Sequence, residues 1–334
     1  MLVNLGTPDS PSVPDVKRYL NEFLTDGRVI DIPAWRRWLL VKGIITPFRA
    51  PNSAKLYQAI WDEKTGSPLL HYSELQQQLL QDQLGGDYHV ELAMRYQNPS
   101  IASALSKLRR MNLESIRIIP LFPQYASAST GSVIDKVMEV MRGWHTFPDV
   151  SIVNDFYDQE TMIDVFVENA LQHKPETYDH LLFSYHGLPV RQLTGVEASG
   201  KHDCEIAGCR ERIGTHNRYC YLAQSYATTR LIAKRLQLSQ QDYTVCFQSR
   251  LGKTPWIQPY TSDVLEKVAA QGKKRLLVFC PAFVADCLET IYEVGTEYAT
   301  EFKKLGGEHV QLVESLNAHP RWIQGLRQLA TEPL

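Results

Sequence analysis

The sequence predicts an α/β fold with two similar lobes, each containing a parallel sheet of four strands flanked by helices. Short apolar runs that end in turns recur through both halves of the chain, and segments with helical periodicity separate most of them. Strands that alternate with helices are typical of βαβ units, whose parallel sheets are buried on both faces. The length of 334 residues also exceeds what one hydrophobic core usually supports, which favours two domains.

The predicted strands follow one another along the chain. Those of the first lobe lie at 2–5, 90–96, 116–122 and 151–156. Those of the second lobe lie at 180–185, 243–248, 275–280 and 310–316. Helical spacing is clear between strands, for example at 101–111 and 264–271. We therefore expect an N-terminal lobe over residues 1–158 and a C-terminal lobe over 159–334, with the active site in the cleft between them.

The composition is that of an ordinary globular protein, with 44% hydrophobic and 22% charged residues. The formal net charge of −2 predicts no nucleic-acid partner, because domains that bind nucleic acid carry a basic surface. No apolar run approaches the roughly 18 residues that a transmembrane helix needs, and the chain reaches a turn at Gly6 instead of a secretory signal. With six cysteines and no such signal, we expect reduced thiols and a cytoplasmic location.

The motif SYHGLP at 184–189 follows an apolar run and predicts the abrupt end of a buried strand. Ligands of open α/β sheets bind outside the carboxyl ends of the strands. The motif therefore places the imidazole of His186 where chemistry is expected, and an imidazole can take up a proton or bind a metal near neutral pH. A half-buried histidine with a purely structural role is the alternative interpretation.

The motif DCLETIYE at 286–293 predicts a helix that begins where another strand ends. Glu289, Glu293 and Glu297 are spaced four residues apart and form one stripe along such a helix. The stripe is either a solvated face or a row of carboxylates, beginning with Glu289, that handles protons or a cation. An imidazole and a carboxylate together suit proton abstraction or the binding of a divalent cation.

Other sequence motifs narrow the choice of ligand. The chain has no glycine-rich dinucleotide fingerprint, no Walker loop and no Gly-x-Ser-x-Gly elbow, which argues against a nucleotide-binding protein and against hydrolases of that type. Aromatic side chains in or near the predicted loops favour a flat apolar ligand instead. These residues are Phe48, Tyr57, Trp61, Tyr72, Tyr96, Tyr125 and Trp256, of which we expect Tyr96 and Tyr125 to bind substrate.

The motifs resemble, in their order and spacing, those of ferrochelatase, the enzyme that inserts ferrous iron into a porphyrin. The resemblance covers nearly the whole chain. It is carried by LVNLGTP at 2–8, YLNEFL at 19–24, GSPL at 66–69, AMRY at 93–96, SYHGLP at 184–189, FQSR at 247–250 and CPAFVADCLET at 280–290. The SYHGLP motif is similar to that of the bacterial branch that uses protoporphyrin rather than coproporphyrin.

This resemblance implies a class II chelatase fold, in which two Rossmann-like lobes clasp the porphyrin. It implies that Fe²⁺ is the substrate and is inserted into protoporphyrin IX to give protohaem, with release of two protons, as the last step of haem biosynthesis. His186 and Glu289 fall on the family's active-site pair, which is catalytic and handles the metal. The resemblance also places Leu5, Arg95, Tyr96 and Glu293 at substrate-binding positions. It leaves open which of His186 and Glu289 accepts the pyrrole protons and which positions iron.

Two rival hypotheses explain part of the pattern. A non-catalytic carrier of a tetrapyrrole or a metal would keep the aromatic cleft but would not need both His186 and Glu289. A cobalt or nickel chelatase for another tetrapyrrole would favour paired histidines, of which the chain offers one. We therefore expect protoporphyrin IX and ferrous iron as partners, no nucleic acid, no transmembrane segment, and a monomer or homodimer.

A cluster of cysteines follows the histidine motif. Cys204, Cys209 and Cys220 have the spacing C-x4-C-x10-C and are flanked by His202 and His216. Some bacterial ferrochelatases resemble this region but hold a [2Fe–2S] cluster there with four cysteines, and this chain has Ser225 where such relatives have a further one. Three alternatives remain for these cysteines: an iron–sulfur cluster, a zinc ion bound together with a histidine, or thiols that bind no metal. Because the set of four cysteines is incomplete, we favour thiols that bind no metal.

Overall fold

A computed structural model of the chain describes residues 1–196, 200–250, 252 and 254–333. Its first parallel sheet contains β1 (Leu2–Gly6), β2 (Leu92–Tyr96), β3 (Ser115–Pro120) and β4 (Asp149–Ile152), in the order β2-β1-β3-β4. Its second parallel sheet contains β5 (His180–His186), β6 (Tyr243–Gln248), β7 (Arg275–Phe279) and β8 (His309–Leu312), in the order β6-β5-β7-β8. The two sheets share one topology, and the predicted pair of four-stranded parallel sheets is confirmed.

The last strand of each sheet ends earlier than predicted. β4 ends at Ile152 and β8 at Leu312, whereas the apolar runs continue for about four more residues. The residues beyond the strands are nevertheless buried: Val153 and Val313 each donate one more backbone hydrogen bond to the neighbouring strand, and Leu316 is fully buried. Apolar character there reflects burial in the core and not continued pairing in the sheet.

Helices cover the faces of both sheets. The helices before β5 are α1 (Val13–Leu24), α2 (Ala34–Leu40), α3 (Thr46–Ile60), α4 (Pro68–Leu84), α5 (Ile101–Arg109), α6 (Ser132–Met141) and α7 (Glu160–Gln172). Those after it are α8 (Val190–Thr194), α9 (Tyr221–Arg235), α10 (Thr261–Ala270), α11 (Ala299–Lys304) and α12 (Pro320–Thr331). Serines begin two of these helices, because the side chains of Ser12 and Ser100 accept hydrogen bonds from backbone N–H groups in the first turns of α1 and α5.

Three segments are π-helical, with hydrogen bonds that reach five residues back instead of four. Two are single turns, Val41–Ile45 between α2 and α3 and Ser127–Gly131 before α6. The third, Leu288–Tyr298, has 11 residues and continues directly into α11. It coincides with the helix predicted to carry the three glutamates. Since π-helices are rare and occur frequently at functional sites, its position is informative.

Residue contacts group the chain into two compact units. The first contains Met1–Phe122, Ala126–Asp155 and Ile323–Leu334, and the second contains Pro123–Tyr125 and Phe156–Trp322. The core of the first unit packs α5 and α6 against the sheet around Val3, and that of the second packs α10 against the sheet around Leu182. The lobe boundary at 158 and the cleft between lobes stay predictions of the sequence. Within the described ranges, every helix is too short or too polar to cross a bilayer.

Candidate active site

His186 is the last residue of β5, where the strand changes from fully buried to half-buried. It is paired with Gln248 of β6, and the amide of the next residue, Gly187, donates to the carbonyl of Gln248 over 2.8 Å. The carbonyl of His186 accepts a hydrogen bond of 2.9 Å from the hydroxyl of Tyr221, the first residue of α9. The backbone at the end of the strand is therefore held on both sides.

The imidazole of His186 has a defined tautomer in this geometry. Its Nδ1 lies 2.7 Å from the carbonyl oxygen of Gly187. Because a carbonyl oxygen only accepts, Nδ1 carries the proton and the lone pair is on Nε2. A neutral imidazole of this kind can accept a proton or bind a metal ion through Nε2.

Gly187 allows the chain to turn away immediately after the histidine. A Cβ atom at this position would lie 2.7 Å from the carbonyl oxygen of Gln248 and 3.2 Å from the ring of Trp256. The first distance is too short for any side chain, so the glycine of the SYHGLP motif is required by the close approach of β6. The position of His186 depends on that close approach.

The long π-helix is anchored where it begins. Asp286 is buried and accepts hydrogen bonds from the side chains of Thr290 (3.0 Å) and Asn317 (2.7 Å). The hydroxyl of Thr290 in turn accepts from the backbone amide of Cys287 at 3.0 Å. These bonds satisfy polar groups at the start of the helix, and they fix the position of the half-buried Glu289 in its first turn.

Gln248 links the histidine to the π-helix. Its side-chain nitrogen donates to the main-chain carbonyl of Glu289 at 3.1 Å and to a carboxylate oxygen of Glu293 at 3.2 Å. Its side-chain oxygen accepts from the hydroxyl of Ser184 at 2.7 Å. One buried amide therefore connects β5, β6 and the helix that carries the glutamates.

The carboxylate of Glu293 is held by three donors. Besides Gln248, Ser249 donates to Oε2 at 2.7 Å and Tyr298 donates to Oε1 at 2.9 Å. Burial and the neighbouring charge of Glu293 raise the pKa of Tyr298, so this phenol stays protonated and remains a donor. Glu293 is therefore a fixed acceptor in the middle of the glutamate row, which is the stripe formed by Glu289, Glu293 and Glu297.

The two other glutamates of the row have different surroundings. The carboxylate of Glu289 lies beside the thiol of Cys287, whose pKa is raised first by burial and then by the charge of Glu289. At the far end, partial desolvation and then the charges of Glu293 and Glu301 raise the pKa of Glu297. A raised pKa makes Glu297, on the exposed side, a better proton acceptor than an ordinary glutamate.

Arg95 and Tyr96, in the first unit, are engaged in a buried network. A guanidinium nitrogen of Arg95 lies 2.6 Å from Asp26, and the hydroxyl of Tyr96 donates to the same carboxylate at 2.9 Å. Arg95 also donates to Ser132 and stacks over the ring of Tyr96, which is fully buried. Their polar atoms are thus occupied within the unit, and their contact with substrate stays a prediction.

Asp26 is the centre of this network. Burial alone would raise the pKa of its carboxyl group. Hydrogen bonds from Ser132 and from the backbone of Arg28, followed by the charge of Arg95 and a hydrogen bond from Tyr96, outweigh burial and hold the pKa of Asp26 below its usual value. The carboxylate is therefore charged at neutral pH.

Leu5 lies within β1 near its carboxyl end, and Tyr125 lies in the loop that follows β3. Leu5 is half-buried in β1, and its amide donates to the side chain of Asn4 at 2.8 Å. Tyr125 belongs to the second unit, where its amide donates to the side chain of Gln224 at 2.6 Å and its ring packs edge-on against Tyr219. Their roles as substrate-binding residues stay predictions.

The cysteine cluster is brought together with one of its flanking histidines. The ligand atoms of His202, Cys204, Cys209 and Cys220 all lie within 4.8 Å of one another. Hydrogen bonds from the Cys204 and Cys209 thiols, and then from backbone amides at the start of α9, lower the pKa of Cys220 to about 4. Cys204, which donates to the other two sulfur atoms, has a raised pKa. His216 is not a member of this group among the described residues.

Sequence reasoning missed the residues that hold the glutamate row. In the sequence, Gln248 and Ser249 stand out only as part of the FQSR motif at 247–250, and Tyr298 has no signal of its own. Polar residues at the end of a buried strand are the available indication, because ligands of parallel sheets bind outside the carboxyl ends of the strands. The link from Gln248 to Glu289 and Glu293 depends on side-chain geometry, which spacing alone does not reveal.

Two four-stranded parallel sheets flanked by helices are consistent with the class II chelatase fold. Among solved structures, the chain is similar to SirB from Bacillus subtilis with Fe³⁺, with a TM-score of 0.52 and 12% identity over 80% of this chain and 93% of that one, which supports the fold.

The amino-acid sequence is more specific. The family model described as Ferrochelatase matches residues 1–334. Ferrochelatases from Coxiella burnetii (strain Dugway 5J108-111) and Legionella pneumophila (strain Paris) are 43% and 44% identical, each over 100% of this chain and over 93% and 98% of the relatives.

The chain belongs to the ferrochelatase family. It is a porphyrin metal chelatase, a lyase whose reaction inserts Fe²⁺ into protoporphyrin for haem synthesis. The hypothesis of a non-catalytic carrier is not favoured. Ferrous iron is accordingly a substrate of this protein and not a resident cofactor.

Proposed function

We propose that His186 is the base that accepts the pyrrole protons of protoporphyrin IX, and that Glu289 takes them on and helps to position the entering iron. The observation that supports this assignment is the hydrogen bond from Nδ1 of His186 to the carbonyl of Gly187, which directs the basic lone pair to Nε2. A porphyrin must lose two N–H protons before all four nitrogens bind iron. A neutral imidazole at a strand end is suited to that task.

The glutamate row gives the protons a route away from the site. Glu289 lies in the first turn of the π-helix, Glu293 is held by three donors, and Glu297 has a raised pKa at the exposed end. In this proposal, protons move from His186 through Glu289 towards Glu297 and then to water. Glu293 serves as a substrate-side acceptor whose charge raises the proton affinity of Glu297.

The remaining predicted residues complete the proposed substrate site. Leu5 and Tyr125 would supply apolar and aromatic contacts for a flat ring, since both are half-buried, Leu5 near the end of β1 and Tyr125 in the loop after β3. Arg95 and Tyr96, at the end of β2, would act mainly by holding the segment after α1 in place through Asp26. A site that binds the porphyrin in a bent form resembles the transition state more than the flat substrate, and this is how binding energy increases rate.

The experiment separates binding from chemistry. Protoporphyrin IX binding is measured by fluorescence without metal, and insertion is measured anaerobically with Fe²⁺ over a range of pH. For His186→Ala we expect insertion to fall by about 100-fold or more, as for loss of a general base, with porphyrin affinity largely retained. Glu289→Gln, which keeps the size but not the charge, should also slow insertion. Insertion at the wild-type rate in His186→Ala would refute the assignment.

We also propose that the protein acts in the cytoplasm, as a monomer or a homodimer. All six cysteines are free of disulfide bonds, which fits a reducing compartment. Light scattering coupled to size-exclusion chromatography would determine the number of chains in the particle, and a mass above that of two chains would contradict the proposal.

A further inference from the structure

The segment from residue 200 to 220, between α8 and α9, contains neither helix nor strand. Its buried side chains are those of His202, Cys209, Asn217 and Cys220. By contrast, Ile206 is 88% exposed. This segment therefore has no hydrophobic core of its own that could offset the entropy of ordering its backbone. Short segments of this kind usually need a disulfide or a metal to be stable.

Two distances between pairs of these ligand atoms match those expected around one tetrahedral ion. Sγ of Cys204 lies 3.7 Å from Sγ of Cys220, and Sγ of Cys209 lies 3.4 Å from Nε2 of His202. Two thiolates on a tetrahedral zinc at about 2.3 Å lie roughly 3.8 Å apart, and a thiolate and an imidazole nitrogen lie about 3.6 Å apart. The observed distances agree with both values.

The surrounding backbone holds these side chains in place. Asn217 is buried, donates to Sγ of Cys209 at 3.6 Å, and also bonds the backbone of Ala207, Arg212 and Gly214. The amide of Cys209 donates to the carbonyl of Cys204 at 2.9 Å, and that of Cys220 to the carbonyl of Asn217 at 2.9 Å. Partners of this kind around a metal site orient the ligands themselves.

We propose that His202, Cys204, Cys209 and Cys220 form a structural site for a single Zn²⁺ ion. Cys₃His with four protein ligands is an established composition for closed structural zinc sites. Binding releases the thiol protons to solvent and leaves three thiolates and one imidazole on the ion. His202 is the fourth ligand, which spacing in the sequence did not distinguish from His216.

The same geometry does not fit a [2Fe–2S] cluster. Such a cluster uses four cysteines and binds two of them to each of two irons, so that the bridging sulfides hold the two ligand pairs apart. Here the group holds three thiols, and all four ligand atoms lie within 4.8 Å of one another. The chain therefore differs at this position from the relatives that its cysteine spacing resembles.

A zinc ion at this site would also help to hold His186 in position, because Cys220 is joined directly to a residue that bonds His186. Cys220 is followed directly by Tyr221, whose hydroxyl donates to the carbonyl of His186 at 2.9 Å. Fixing Cys220 fixes the first turn of α9, and thus this hydrogen bond. The proposed role is positional, because none of the four ligands contacts His186 in the described contacts.

The test measures metal directly in the full-length protein. Protein from cells supplied with both zinc and iron is assayed for zinc, iron and acid-labile sulfide, and competition with a chelator gives the zinc affinity. We expect about one zinc per chain and no labile sulfide. Zinc affinity should fall by at least about 100-fold in His202→Ala and Cys209→Ser. His216→Ala, in the same segment, and Cys246→Ser, in the core, should bind zinc as the wild type does.

Two further measurements use the wild-type protein, in case the ligand variants do not fold. Co²⁺ added after chelation should produce the visible absorption of a tetrahedral thiolate site, and chelation should speed proteolytic cleavage within 200–220. Labile sulfide with two irons per chain would overturn the proposal. So would a Cys204–Cys220 disulfide, wild-type zinc affinity in His202→Ala, or a metal-free protein in which Co²⁺ produces no such absorption.

Discussion

At the scale of single residues, the position of His186 depends on neighbours that do no chemistry themselves. Gln248 is its partner in the sheet and binds both the backbone of Glu289 and the carboxylate of Glu293. Gly187 allows β6 to approach, and Tyr221 holds the carbonyl of His186. These three residues hold the strand end at His186, and Gln248 joins it to the helix that carries Glu289.

The first prediction concerns Gly187→Ala. The added Cβ would meet the carbonyl oxygen of Gln248 at 2.7 Å, so the strand end must shift and move His186. Displacement of a catalytic group by about 1 Å can cost up to about 100-fold in rate. We expect a large loss of insertion rate with the fold retained, measured by anaerobic turnover and circular dichroism. Gly195→Ala, where the nearest atom is 4.0 Å away, is the matched control and should remain active.

The second prediction concerns Asp26→Asn. Because the pKa of Asp26 is lower in the folded than in the unfolded chain, its stabilising effect is complete above the unfolded value of about 4 and is lost as pH falls through the folded value. The substitution leaves Arg95 buried without its charged partner, which costs about 3 kcal/mol or more at neutral pH. The difference from wild type should shrink below about pH 4. Denaturant unfolding at several pH values measures this, and a constant difference would contradict the account.

At the scale of elements, the π-helix Leu288–Tyr298 determines how the glutamate row faces the site. With more than four residues per turn, side chains four apart are rotated in the opposite sense from those of an α-helix. Glu293 thereby meets Gln248, Ser249 and Tyr298 together. An α-helix with the same sequence would present these carboxylates to different neighbours.

The third prediction tests this helical form by deleting Gly295. Removing one residue from a π-helix allows the last turns to become α-helical, which rotates Glu297 and Tyr298 relative to Glu293. We expect the insertion rate to fall although the sheet is untouched. Gly295→Ala is the control, because a Cβ there would be 3.8 Å from the nearest atom and the residue count is preserved. Full activity in the deletion variant would show that the helical form does not matter.

Most elements could be predicted because their signals are local. β5 is an apolar run that stops at His186, and the parallel sheets follow from strands that alternate with helices. The π-helix could not be predicted, since glutamates four apart share a face in either helical form. His202 could not be distinguished from His216 as a ligand, because the segment between α8 and α9 has no periodicity to orient either side chain.

At the scale of the whole molecule, the two units repeat one strand order, and the chain returns at its end to the first of them. Ile323 and Leu326 of α12 are buried there, and Arg117 of β3 donates to the carbonyls of Leu329 and Glu332. The last helix therefore belongs to the first unit from Ile323 onward, although it is more than 160 residues away from β4 in the sequence.

The fourth prediction follows from the position of residues 323–334 in the first unit. Deleting residues 323–334 removes two buried aliphatic side chains that contribute about 1.5–3 kcal/mol each, so stability should fall by about 3 kcal/mol or more. Thermal unfolding of the full chain and the truncated chain measures the change. Deleting only 333–334, where Pro333 is exposed, is the control and should leave the melting temperature unaltered. Equal stability of the two truncated chains would contradict this assignment.

We propose that His186 and Glu289 together carry out metal insertion in this member of the ferrochelatase family. The most direct measurement is anaerobic incubation with Fe²⁺ and protoporphyrin IX, following the loss of porphyrin fluorescence and the growth of the haem spectrum. His180→Gln serves as a control, because His180 begins the same strand and bonds Thr244 instead of the site. We expect turnover in the wild type and in His180→Gln, and its loss in His186→Ala and Glu289→Ala. Unchanged turnover in either of the last two variants would contradict the account.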